Sequence, residues 1–325
     1  MDMQVILTQM AILFILMAIG FIVGKAKILT REANKMLSQI VLFIALPCTI
    51  FTSAFENEMT ITLGDTLFYM LMVLLTFAIA FLIAIPVIHI LGGEKFNKGV
   101  LVVVAVFSNC AYMGFPVINA IFGISSVYYV ALFSIPFNLL IFSLGIYLIS
   151  QKKPTENDQA EESSDTDDGN KPRGGFNPKY LLNPVLLSIF IAVPLAITGV
   201  RPPYIVTEVF RITGSITTPG AMLVIGSTLA LVPIKSVFAE WRIIPATLLK
   251  LIVIPLVTWL VLRQIISNEL MLGVLVVISA MPTAATASMI AIEYNGNERI
   301  ASAGVFLTTL LCGITVPLIV YLFLM

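Results

Sequence analysis

Apolar residues fill this chain in long runs, and polar residues gather in the short gaps between them. A helix that crosses a bilayer needs roughly 20 consecutive apolar residues. Runs of that length recur near 5–23, 34–54, 63–91, 98–122, 124–150, 179–199, 205–231, 236–262, 268–293 and 300–324, which predicts ten membrane spans. The one long polar stretch is 151–178, QKKPTENDQAEESSDTDDGNKPRGGFNP, rich in Asp, Glu, Ser, Gly and Pro. It has too few apolar residues to order itself and is expected to be a disordered loop. It separates 1–150 from 179–325, each with five predicted spans.

Composition sharpens the class. Hydrophobic residues make up 59% of the 325 and charged residues only 11%, against about 25% charged in an ordinary soluble domain. The pattern is that of an all-α, polytopic membrane protein. The start, MDMQVILTQM, has no basic leader region, so the first run is expected to be retained as a span. Cys48, Cys110 and Cys312 fall inside apolar runs without metal-type spacing, and no metal site or cofactor motif is expected.

Charge position predicts orientation. Fifteen of the 18 Lys and Arg residues lie at or near the gaps after spans 1, 3, 5, 7 and 9, among them Lys25, Lys98, Lys152 and Arg242. Loops rich in Lys and Arg stay in the cytoplasm. Both termini are therefore expected outside the cell membrane and the 151–178 loop inside. Lys250, within span 8, is counted in that set and expected to snorkel toward the interface. His89 is expected at an interface.

Five spans per half is an odd number, so the second half would enter the membrane inverted. Pro47, Pro86 and Pro116 fall in spans 2, 3 and 4, and Pro219, Pro255 and Pro282 fall in spans 7, 8 and 9 in the same order. Inverted repeats of this kind mark secondary transporters. Span 4 carries SNCAYMGFP and is expected to break at Gly114–Pro116; span 9 carries AMPTAATAS and is expected to break near Pro282. Irregular backbone persists at membrane depth only where protein or a water-filled cavity covers it. If the two breaks meet, two helix N-termini, each with free N–H groups and a partial positive charge, share one spot suited to an anion. Asn109, Tyr112, Thr283, Thr286 and Ser288 would offer polar groups there.

SNCAYMGFP, ALPCTIF (45–51), LLNPVLLS (181–188), AMLVIGSTLA (221–230), LKLIVIP (249–255) and AMPTAATASMIAIEYN (280–295), in this order, resemble the auxin efflux carrier family. That family includes plant PIN carriers and bacterial malate or malonate permeases. The resemblance implies a fold like that of bile-acid sodium symporters and sodium/proton antiporters, with two inverted five-helix repeats and crossover helices at spans 4 and 9. It implies substrate contacts from Asn109 and Asn183 and crossover prolines at Pro116 and Pro282. Asp65, in DTLFY, matches an Asp of a supporting polar site in plant members, but the nearby Lys of that site has no counterpart here.

Each position also has a plain structural reading. Asn109 could bond a neighbouring helix and Asn183 could be an N-cap. Pro47 could kink span 2 and turn Ile50 toward the pocket. Asp65 and Glu293 lie near the interfaces and are read as solvated carboxylates or coupling groups. The sequence therefore predicts a secondary transporter of small organic anions working by alternating access. The alternatives are a sodium-coupled symporter of the bile-acid type, or an anion channel or sensor. A proton or sodium co-substrate, membrane lipids and a second copy of the chain are the expected partners. Neither an enzyme site nor a nucleic-acid surface is expected.

Overall fold

The computed structural model describes residues 3–55, 62–93, 95–150, 184–198, 202–231, 241–294 and 296–324. The expected loop at 151–178 lies outside the described residues. Among them the regular structure is helical, apart from one isolated β-bridge. In chain order the helices are α1 (Met3–Lys25), α2 (31–55), α3 (Leu63–Ile90), α4 (Lys95–Val106), α5 (Cys110–Phe122) and α6 (Ile124–Ile149), then α7 (Pro184–Thr198), α8 (Tyr204–Leu231), α9 (Ile243–Leu262), α10 (Glu269–Ser279), α11 (Thr286–Glu293) and α12 (Glu298–Leu324). Seven of them, α1, α2, α3, α6, α8, α9 and α12, are long and apolar enough to cross a membrane. The expected break at Pro282 is present, because α10 ends at Ser279 and α11 begins at Thr286.

Outward-facing Ile22, Leu82, Ile90 and Ile314 are all exposed. Apolar surface on this scale suits lipid.

Three prolines leave the same local signature. A π-helical turn ends two residues before each: Val41–Ala45 before Pro47, Cys110–Gly114 before Pro116, and Leu249–Val253 before Pro255. Proline has no N–H to donate, and its ring presses on the carbonyl four residues back. Widening the preceding turn to i→i+5 bonds relieves that contact without ending the helix. The bonds from Leu46 N to Val41 O, Phe115 N to Cys110 O and Ile254 N to Leu249 O are those wider bonds. The expected break at Gly114–Pro116 is therefore absent. Helix α5 runs on through both residues, and the interruption lies upstream at Phe107–Asn109.

Helices from either side of 151–178 pack on one another. Helix α1 lies along the second part of α8, and α2 packs against α7 and α8. A Cβ on Gly20 would come within 2.6 Å of Leu223 O, and one on Gly24 within 2.9 Å of Ser227 Cα. Small residues let membrane helices approach this closely. Asn34 fastens α2 to α8, accepting from Ser227 Oγ at 2.6 Å and donating to Thr228 Oγ1 at 3.0 Å. Thr49 Oγ1 bonds Gly214 O at 2.9 Å, beside the turn at 215–216 that interrupts α8. A second group packs α3 on α4, α9 on α10, and α12 on α4, α9 and α11. This second group holds both breaks.

Candidate functional site

The two breaks meet. Ser108 and Thr283 form an antiparallel β-bridge. Asn109 N donates to Pro282 O at 2.7 Å, and Ala284 N donates to Phe107 O at 2.9 Å. Every buried backbone polar group needs a partner, and a helix end leaves four carbonyls without one. At the end of α4 those partners come from across the junction. Val103 O still accepts from Phe107 N of its own segment, whereas Val104 O accepts from Thr283 Oγ1 at 2.7 Å and Val106 O from Lys250 Nζ at 3.3 Å. Thr283 N in turn donates to Thr308 Oγ1 on α12 at 3.0 Å. Phe107 is fully buried among Phe77, Phe81 and Phe137.

Asn109 stands at the head of α5 and is 4% exposed. Its Oδ1 accepts from Tyr112 N at 3.1 Å, which caps the helix. Its Nδ2 donates to no described residue, so one amide donor remains beside the junction. Tyr112 is half-buried and its hydroxyl pairs with Ser38 of α2, linking the junction to the first helix group. Thr286 and Ser288, in the first turn of α11, are half-buried with no described partner for their hydroxyls. These four polar residues surround the junction from α5 and α11.

The remaining predicted residues divide. Pro282 is buried inside the second break, and its carbonyl is part of the bridge. Thr283 is fully buried, with its hydroxyl committed to Val104. Gly114 and Pro116 are helical, and a Cβ on Gly114 would meet its neighbours at ordinary distances of 3.5 Å and more. Pro47 is half-buried just after the π turn of α2, and Ile50 is buried in the apolar core. Asp65 sits in the first turn of α3, exposed, and completes a capping box. Its Oδ2 accepts from Thr62 N at 3.1 Å and Thr62 Oγ1 at 2.7 Å, while Thr62 Oγ1 accepts from Asp65 N. Glu293 ends α11, and its side chain lies outside the described residues, as does Asn183.

Lys250 corrects the sequence reading. It does not snorkel; it is 1% exposed, and its Nζ lies 2.5 Å from Ser108 Oγ, at the centre of the junction. Its removal from the interface also takes one residue from the fifteen used for orientation. The cause is local. Lys250 belongs to the π turn that Pro255 imposes on α9, and the extra residue in that turn changes the direction of the side chains before it. The sequence signal was a lysine five residues ahead of a proline in the middle of a span.

Residues 5–320 match the model of a family described as "Membrane transport protein". Among similar proteins, "Uncharacterized transporter YfdV" of Escherichia coli (strain K12) is 24% identical over 315 residues, 95% of each chain. An "Uncharacterized transporter" of Methanothermobacter thermautotrophicus is 22% identical over 304 residues, 94% of each chain. A protein of Rhizobium meliloti (strain 1021) named "Putative malonate transporter" is 30% identical over 150 residues, 46% of each chain.

Proposed function

The chain belongs to the membrane transport protein family that includes the auxin efflux carriers, and from that premise we propose that this multi-pass protein is a secondary transporter of small carboxylates. The anion binds where the two broken helices meet. Counting α4 with α5 and α10 with α11 as single broken spans, and adding α7 to the seven long helices, gives ten spans in two inverted sets of five. Spans 4 and 9 are the crossover helices.

The observation that carries this reading is the main-chain junction of the two breaks, with the donor of Asn109 left over beside it. A carboxylate lying there meets Asn109 Nδ2 and the hydroxyls of Thr286 and Ser288. It also lies near the starts of α5 and α11, whose first N–H groups favour negative charge. The relative named for malonate supports a carboxylate substrate. Access alternates between the two sides of the membrane, and the 151–178 loop faces the cytoplasm. A negative cell interior expels anions by about 2.3 kcal/mol per charge per 100 mV. Export thus needs no driving ion, whereas uptake needs a co-transported cation or exchange.

Flux of labelled malonate into proteoliposomes tests the reading, with Asn109→Ala beside the unaltered protein. A hydrogen bond to a charged group contributes about 1.5–3 kcal/mol, so KM should rise roughly 10- to 100-fold. Equal flux and KM in both proteins would remove Asn109 from the site.

A further inference from the structure

Lys250 places an amine in the buried middle of a span, with no described anion beside it. It is 1% exposed, and no described carboxylate lies within ion-pair distance of it. Its Nζ bonds Val106 O at 3.3 Å and Ser108 Oγ at 2.5 Å, one residue from Asn109. Burying a charge without a counter-charge is strongly unfavourable, and a buried amine escapes by losing its proton. The two bonds at Nζ are compatible with that escape, because a neutral amine still has two protons to donate. A third proton exists only in the ammonium, and neither bond uses it.

From this geometry we infer that Lys250 is the counter-charge and the proton carrier of the anion site. With the site empty the amine is neutral and holds Val106 and Ser108. As a carboxylate enters beside Asn109, Lys250 takes a proton from water on the side from which the anion came. The new ammonium then offsets one negative charge of the anion. When the anion leaves, the proton leaves with it. Binding of the two is therefore reciprocal: each raises the affinity of the other by the same factor. One proton crosses with each anion, which reduces the charge moved by one. This inference rests on the carboxylate reading of the site.

Few other titratable groups face this amine. The Cys110 thiol at the start of α5 is close enough to interact with it. Helices α4 and α12 pack against the π turn of α9. Their charged residues, Lys95 and Lys98 on α4 and Glu298 and Arg299 on α12, lie in first turns. At 1.5 Å of rise per residue they are roughly 12–17 Å along the helix from Val106 and Thr308, the residues bonded at the junction. Cys312 on α12 is buried and donates to Thr309 O. Tyr321, further along α12, is exposed.

Calorimetric titration of the full chain in nanodiscs tests this. Malonate and malate serve as probes above pH 7, where both carboxyl groups are ionised. Each titration is run in two buffers of different ionisation enthalpy. The expected result is close to one proton taken up per anion bound, with affinity falling about tenfold per pH unit at the alkaline end. Lys250→Arg keeps the charge without titrating in this range. It should bind the same anions with no proton uptake and no pH slope. Lys250→Met should lose at least tenfold in affinity. Anion binding by the unaltered protein without proton uptake overturns the role of Lys250 and leaves the carboxylate site standing. Failure of both probes to bind at any pH overturns the carboxylate site and this inference with it. The measurement on the unaltered protein decides the matter even if a variant does not fold.

Discussion

Thr283 offers a direct test of how the junction is held. Its hydroxyl donates to Val104 O at 2.7 Å, and the residue is fully buried. Replacing it with Val preserves shape and volume but removes the donor. Two magnitudes compete. Hydrogen bonds between membrane helices contribute only about 0.6 kcal/mol on average, because the unfolded chain in lipid finds substitute partners. Leaving a buried acceptor without any partner costs about 1–3 kcal/mol. The second effect should dominate here. Val104 lies in the last turn of α4, where the helix can no longer supply its own N–H. Val104 is itself fully buried, so water does not replace the lost donor. Thr283→Val is therefore expected to lower the unfolding free energy by about 1–3 kcal/mol. Thr283→Ser, which keeps the hydroxyl and loses one methyl, should lose about 0.8 kcal/mol. Reversible SDS titration in mixed micelles measures both. A Val variant as stable as the unaltered protein, or more stable, would show that the hydroxyl does not hold the two breaks together.

Other substitutions separate local structure from transport. Asp65→Ala removes the capping box of α3 and should cost about 1 kcal/mol in the same SDS titration, with KM for malonate changed less than twofold; a lost pH response of flux would instead make Asp65 a coupling group. Gly20→Leu drives a side chain into the backbone of Leu223 and should abolish the monodisperse peak in size-exclusion chromatography, whereas Ile22→Leu, on the exposed face, should leave it unchanged. Pro255→Ala restores an N–H and lets the π turn of α9 relax toward α geometry. Melting temperature should hold or rise, while proton uptake on malonate binding disappears because Lys250 turns away from Val106. A melting temperature that falls in step with the lost uptake would count against that reasoning.

Some of this was open to reading in the residues alone. Long apolar runs predicted membrane helices because bilayer thickness fixes their length. Pro282 marked a true break: it has no N–H to continue the helix, and its carbonyl pairs with Asn109 N across the junction instead. Pro116 misled because a proline acts on the turn before it, and that turn widened without opening. What opens the chain at Phe107–Asn109 is pairing with Thr283, about 175 residues away along the chain. Lys250 was hidden for a related reason. A lysine in an apolar run ordinarily reaches for the interface, and only the wider turn before Pro255 directs it inward. Asp65 carries two signals: its family counterpart suggests a polar support site, and its local chemistry is a capping box with Thr62.

The bridge between Ser108 and Thr283 has a kinetic corollary. Solvent reaches the amide protons of Asn109 and Ala284 only if the two broken helices part. If those helices travel together as one rigid piece, then in heavy water these two protons should be retained through turnover after turnover, and be lost only on the timescale of complete unfolding.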